Sequence, residues 1–414
     1  METTYLNVSN NEKLSIYHGL ASTVSTTAVN GYIPLFAISV LGATNEQMGL
    51  ITSLPSIVAM LALIPGALWL NKAKSKKNFA VISTLATRLM FMLILFIPFV
   101  DQPYSASLLV FLIAALNFPG ALSGLSWQTL IGDLIPEKRR GDFFSTRNRW
   151  VTIAAMAVTF GTGFFLQQFA KDDAFPYQIL FVIGFVFALV EVYYLYKHQD
   201  SPAVVTKTEN PLQKRKFSMD VFRHKPFLSF LVCAVLFNIG AQMAWSLFSI
   251  YHIRDVGATA LWFSFFSVTN QLAQIISVKW WAKAADKHGN IMILFIAAAG
   301  MATAPILTML STNLYYLTAL NFWIGLFVSG TNLLLFNQLL KATPEVNRAG
   351  YLANYQFILS IIGFIAPQFG VYLLGQVGMF SAMAICSVIR LIAGCSFLLV
   401  ALKFERKQKP VEIM

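Results

Sequence analysis

Residues 79–100 read FAVISTLATRLMFMLILFIPFV, with Arg88 as the one charged side chain in the run. In a helix, about 20 apolar residues span the ~30 Å hydrocarbon core of a bilayer. A membrane strand needs only about ten and alternates polar with apolar side chains. This run does not alternate. Hydrocarbon offers no partner to a backbone N–H or C=O, so only a helix or a closed barrel crosses it, and the run reads as a transmembrane helix.

Working outward, comparable runs lie at 13–41, 46–70, 105–135, 146–170, 176–197, 226–252, 257–282, 290–311, 314–340, 350–374 and 378–402. Together they predict an all-α membrane protein of about twelve transmembrane helices. Composition agrees, with 57% hydrophobic and 12% charged residues, where a soluble domain carries about 25% charged. The 36 Phe and 8 Trp suit surfaces that face acyl chains.

The net charge of +12 would suit a nucleic-acid partner, but its distribution points to a membrane. With the N-terminus placed in the cytoplasm, Lys171 and Arg254 are the only basic residues, of 30, in external loops. The cytoplasmic connections hold Lys72, Lys74, Lys76 and Lys77, then Lys138, Arg139 and Arg140, then Lys214, Arg215 and Lys216, and finally Arg406, Lys407 and Lys409. External loops hold Glu46, Asp101, Asp172, Asp173 and Asp255. The positive-inside rule requires this asymmetry. The expectation is an integral plasma (inner) membrane protein with both termini cytoplasmic, a lipid bilayer as partner and no nucleic acid. The N-terminal METTYLNVSNNEKL lacks a basic segment leading into a short apolar one, so no cleavable signal peptide is expected. Cys233, Cys386 and Cys395 fall in apolar runs and read as small core residues.

The longest polar stretch divides the chain. Residues 1–197 are expected to form one six-helix bundle, 198–225 a cytoplasmic linker, 226–402 a second bundle and 403–414 a cytoplasmic tail. The halves also match in sequence. Leu41-Gly42-Ala43-Thr44 aligns with Val256-Gly257-Ala258-Thr259 at an offset of 215. Pro136-Glu137-Lys138-Arg139-Arg140-Gly141 aligns with Pro344-Glu345-Val346-Asn347-Arg348-Ala349 at 208, with Phe143 opposite Tyr351. Paired matches of this kind indicate an ancient duplication, and internal repeats mark secondary transporters. No Walker-type phosphate loop, metal-ligand cluster or nucleophile–base spacing occurs, and the five His are scattered at 18, 198, 224, 252 and 288. Neither an ATP-driven pump, an enzyme nor a cofactor is expected.

Charges inside spans are few: Arg88, Glu191 and Arg390. Each costs about 2.5–3.5 kcal/mol at a helix centre on insertion scales and so requires a partner or water. By depth, Arg88 is expected to pair with Glu191 or with Asp133. Arg390 has no acidic residue in any span of its half. It either attracts an anionic substrate group or bonds backbone carbonyls.

Two connections carry a family resemblance. After the eighth run, Ala282-Lys-Ala-Ala-Asp286-Lys-His-Gly289 has a small residue, an Asp four later and a Gly three beyond that. Between the fourth and fifth runs, 127–149 read WQTLIGDLIPEKRRGDFFSTRNR, with Asp133 at the inner end and Arg140-Gly141 expected to make the turn. Both resemble signatures of the major facilitator superfamily, and the resemblance covers nearly the whole chain in layout. It implies two pseudo-symmetric six-helix bundles that rock to alternate access. It also implies that Asp286 latches one end shut, with Arg147 or Arg149 as its partner. In the first half the equivalent loop has Asn71 for the Asp and Lys74 for the Gly, a departure from the pattern.

In that fold spans one, four, seven and ten line the substrate cavity, and two, five, eight and eleven are walls. The resemblance then offers His18, Thr26, Asn30, Asn117 and Gln128 from the first half. From the second come Asn238, Gln242, Trp245, Asn270, Gln271, Asn321 and Asn332. Amides and aromatics suit a neutral polar or amphipathic solute, although Asn and Gln also bond helices together in lipid. A coupling ion stays open as a partner, since His18 and Glu191 are nearly the whole protonatable inventory of the path. The expected function is a monomeric transporter of a small molecule, as importer of a polar nutrient or exporter of an amphipathic compound. The rival is a non-transporting sensor or scaffold on the same fold.

Overall fold

The computed structural model describes residues 2–101, 104–198, 219–344 and 348–408, with the side chains of 2–7, 219–220, 349 and 400–408 excepted. Most of the expected linker (199–218) and the last residues of the tail (409–414) lie outside the described residues.

Among these residues every regular element is helical. Helix α1 (Glu2–Asn30) resumes past Gly31 as Ile33–Leu35 and a π-helical turn, Phe36–Val40. Helices α2 to α6 are Asn45–Lys72, Lys76–Leu95, Tyr104–Leu134, Glu137–Leu166 and Phe175–Lys197. Helices α7 to α10 are Lys225–Ile250, Ala260–His288, Asn290–Thr308 and Leu314–Ala342. Helices α11 (348–377) and α12 (379–408) are separated by Gly378, whose φ of 76° breaks the helical path. Among the described residues, nine helical segments are long and apolar enough to cross a membrane. The last of them, Gly350–Leu399, contains the Gly378 break and supplies two crossings. Helix α1, rich in Ser and Thr, and α8, which ends in Lys279, Lys283, Asp286 and Lys287, are more polar and complete the twelve.

Local chemistry accounts for the ends. Thr44 and Gln47 form a reciprocal capping box at the start of α2, which satisfies two N–H groups that the first turn leaves open. Ser75 caps α3 through Asn78 N, and Asn313 caps α10 through Tyr315 N and Tyr316 N. At the C-terminal end of α4 the turn falls at Ile135-Pro136, and α5 begins at Glu137. Arg140-Gly141 therefore does not make the turn. Proline ends the preceding helix, and the charged stretch after it is already helical.

The chain forms two compact units, residues 1–208 with 258–264 and residues 209–257 with 265–414. In the first, α1 packs on α5 and α6, α4 packs on α2 and α3, and α3 packs on α6. Its core is aromatic and aliphatic, with Phe36, Phe91, Phe181 and Leu109 inaccessible or nearly so. In the second, α7 lies along α11 and α12, and α9 packs on α12 and on α10. Met243, Leu247, Ala382, Met383 and Cys386 fill that core. Many large apolar side chains, among them Ile64, Phe99, Phe111, Val232 and Ile276, stay exposed. A soluble monomer rarely shows apolar surface on this scale, and hydrocarbon covers it without cost.

The duplication extends to backbone detail. The π-turn Phe36–Val40 recurs as Tyr251–Asp255, an offset of 215. Leu41 N bonds Phe36 O at 3.2 Å, and Val256 N bonds Tyr251 O at 3.0 Å. Each turn is followed by a glycine in the left-handed region, Gly42 at φ 65° and Gly257 at φ 68°. Only glycine takes that conformation without a Cβ penalty, which is why the Gly of both repeats sits there.

Candidate functional site

Three spans of the first unit bring charge to one buried place. Arg88 of α3 donates Nε–H to Glu191 Oε2 at 2.9 Å and Nη2–H to Oε1 at 3.1 Å. Nη2 also reaches Ser22 Oγ of α1 at 3.3 Å. Glu191 of α6 is 2% exposed. A bidentate pair with a third donor on a hydroxyl is an arrangement that compensates two desolvated charges. His18 Nε2 stands 3.7 Å from Glu191 Oε1, beyond hydrogen-bond length. Asp133 is not part of this set. It pairs with Lys76 at 2.6 Å, both roughly half exposed, because its place at the C-terminal end of α4 faces the basic start of α3 rather than the interior.

A second group adjoins the first. His18 stacks parallel to Trp127 of α4, ring centroids 6.2 Å apart, and its edge meets His198 at 6.5 Å. His198 follows the last residue of α6, and its Nδ1 lies 2.9 Å from the Tyr194 carbonyl. Burial pushes its imidazole below the ordinary histidine range. A neutral ring facing a carbonyl through Nδ1 carries its proton there. Arg147 of α5 lays its guanidinium over the Trp127 ring, 4.4 Å from the centroid, and donates Nε–H to Ser15 O at 3.3 Å. Arg149, two residues on, is exposed.

Two other arginines answer to prolines. A proline has no N–H for the carbonyl four residues back. Pro136 thus frees Gly132 O, and Arg140 Nη2 donates to it at 2.6 Å while its Nε reaches Ile135 O at 3.1 Å. Pro305, inside α9, frees Met301 O, and Arg390 Nη1 of α12 donates to it at 3.0 Å. Arg390 also bonds Gly240 O at 3.1 Å and Ala241 O at 3.2 Å, both on α7. It is 1% exposed. Of the two expectations for Arg390, the structure has the carbonyl one. The arginine holds three helices together from the inside, and Gly240 leaves room for it, since a Cβ there would lie 3.0 Å from Arg390 Cγ.

The amides expected to line a cavity are largely spent on helices. Asn117, Asn238 and Asn321 each return Nδ2–H to the carbonyl four residues earlier, at 2.7, 2.8 and 2.8 Å. Asn270 of α8 donates to Asn321 O of α10 at 3.1 Å and accepts from Gln274 at 2.7 Å. Trp281 Nε1 donates to Leu326 O at 2.7 Å, so α8 and α10 are stitched side chain to backbone. Asn30, Gln128, Trp245 and Asn332 keep exposed side chains, and Thr26, Gln242 and Gln271 are half-buried. Asp286 is exposed in the last turn of α8, and Gly289 turns the chain into α9 at φ 87°. In the first half, where Lys74 stands for that glycine, Ala73 and Ser75 are extended and Asn71 is exposed in the last turn of α2. Gly141 lies exposed in the first turns of α5.

Sequence reasoning did not single out Trp127, Ser15, Ser22, Gly19 or His198. Trp127 sits inside the quoted 127–149 string, next to Gln128, but its role depends on which helix face meets α1 and α5.

Comparisons with known proteins agree with this architecture. Among solved structures, a D-xylose-proton symporter superposes with a TM-score of 0.70 at 15% identity, covering 94% of this chain and 96% of that one. The nucleoside transporter NupG superposes at 0.67 and 13% identity, covering 97% and 99%. A bacterial homolog to the human lysosomal transporter Spinster, inward-facing and unoccupied, gives 0.67 at 15% identity, covering 99% of each. At such identities the likeness is one of fold. No curated protein sequence matches. The sequence model of the Major Facilitator Superfamily matches residues 19–270 and 230–413, so that both halves are recognised. The chain belongs to the major facilitator superfamily.

Proposed function

We propose that this chain moves a small solute across the plasma (inner) membrane by rocker-switch alternating access between its two six-helix units, as a monomer with both termini cytoplasmic. The observation that carries this is the duplicated π-turn and left-handed glycine at an offset of 215. Two homologous units with matched external corners are what alternating access about a midplane site needs. The Asp286–Gly289 turn and the 133–141 connection serve as conformational parts, and Arg88, Glu191 and Arg390 hold their bundles together. The cargoes of the transporters similar in fold, a nucleoside and D-xylose, make small polar solutes the first class to test.

The sensor alternative is not favoured within a family of transporters. The test is solute counterflow into proteoliposomes, run with and without a pH gradient. Substrate-dependent flux is expected. Folded protein that binds a solute yet carries none across would overturn the proposal, and a rate indifferent to the pH gradient would exclude proton coupling.

A further inference from the structure

We propose that Arg147 is an anion-binding group of this transporter, so that the carried solute presents a carboxylate or phosphate to it. The inference rests on the transport function above and names the solute's chemical class.

Donor accounting separates Arg147 from Arg88, Arg139, Arg140 and Arg390. Arg88 is neutralised by Glu191, and Arg139 by Glu12 at 2.8 Å. Arg390 and Arg140 have no carboxylate within 4 Å among the described residues, but proline-freed and neighbouring carbonyls take their N–H groups. Arg147 also has no carboxylate within 4 Å among the described residues, and its one described hydrogen bond uses Nε. A guanidinium carries five N–H donors, so four remain on the two Nη atoms.

Polar groups beside it are unpartnered as well. Trp127 Nε1 and Ser15 Oγ are both buried without a partner. They belong to the two residues that Arg147 touches, one through its ring and the other through its carbonyl. An indole N–H can only donate, so what it lacks is an acceptor. Gly19 lets the guanidinium lie against α1, since a Cβ there would lie 2.9 Å from Arg147 Nη2. Half-buried, with a flat fork of free donors on an aromatic floor, Arg147 matches the geometry that recognises carboxylate or phosphate.

The test uses purified full-length protein in nanodiscs of neutral phosphatidylcholine. Its melting temperature is measured against succinate, lactate and glycerol 3-phosphate, each beside its neutral counterpart (succinamide, lactamide, glycerol). At least one anion should raise the melting temperature saturably where its counterpart does not. The apparent affinity should fall at least about tenfold in Arg147→Gln, with Arg147→Lys retaining part. Gly19→Ala, which keeps the arginine but crowds Nη2, gives the same readout if Arg147→Gln does not fold. The proposal is overturned if no anion shifts the melting temperature, if neutral counterparts shift it equally, or if both variants respond as wild type. Arg147-dependent stabilisation by phosphatidylglycerol alone would assign the site to a lipid headgroup and overturn it too. Binding of neutral solutes that ignores Arg147 would sink this inference and leave transport standing. Anion binding without counterflow would do the reverse.

Discussion

Removing the Arg390 side chain should cost stability mainly through one atom, the Met301 carbonyl. Gly240 O and Ala241 O lie inside α7, where Ala244 N and Trp245 N already serve them, so each loses only a second bond. Met301 O has no helical donor, because residue 305 is proline. In Arg390→Met it becomes a buried orphan, at about 1–3 kcal/mol. Removing the charge offsets part of the loss, because a fully buried guanidinium is itself costly and a hydrophobic replacement of similar volume is often tolerated. The decisive quantity is therefore the coupling rather than the single-variant value. Pro305→Ala returns an N–H to position 305. In that background Arg390→Met should cost about 1–2 kcal/mol less than in wild type, a coupling typical of groups that share one partner. The assay is a double-mutant cycle on purified protein in mixed micelles, with the folded fraction titrated by SDS and read by far-UV circular dichroism. Additivity within about 0.5 kcal/mol would refute the claim that Arg390 stands in for the amide that proline removed.

Breaking the buried pair singly, as Arg88→Ala or Glu191→Ala, should cost about 3–5 kcal/mol each, and Arg88→Met with Glu191→Met should recover most of it. A melting series on the three variants checks this, and an Arg88→Ala protein that folds and transports normally would defeat it. Gly325→Ala drives a methyl into the Asn270 backbone and to 2.8 Å from Ala273 Cβ. It should lower stability by about 1–3 kcal/mol, read as a lower melting temperature in detergent. Gly289→Ala must hold an alanine at φ 87°, a strain of about 1–2 kcal/mol. Gly289→Asn should lose as much in the same melt, since ψ 141° lies outside the left-handed helical region that Asn tolerates. Asp133→Asn removes an exposed pair with Lys76 and should change stability by no more than about 1 kcal/mol.

Run length and the placement of Lys and Arg are local properties, set by bilayer thickness and insertion energetics, so span number and the all-helical class were legible before any coordinates. The duplication was legible too, because Leu41-Gly42 and Val256-Gly257 keep the glycine that a left-handed corner needs. The π-turns in front of those glycines were not, since no residue type marks them. Partner choice belongs to the tertiary structure. Arg88 meets Glu191, 103 positions away, and not Asp133, because helix rotation decides which side chains share an interior. Asn117, Asn238 and Asn321 looked like cavity amides, and only the fold shows them bonded to their own helices. Pro305 announces a carbonyl in need of a donor to anyone counting amides. That the donor is Arg390, 85 residues on and on another helix, follows from packing alone. A chain written in one dimension lists its unsatisfied groups, and only three dimensions bring the groups that satisfy them.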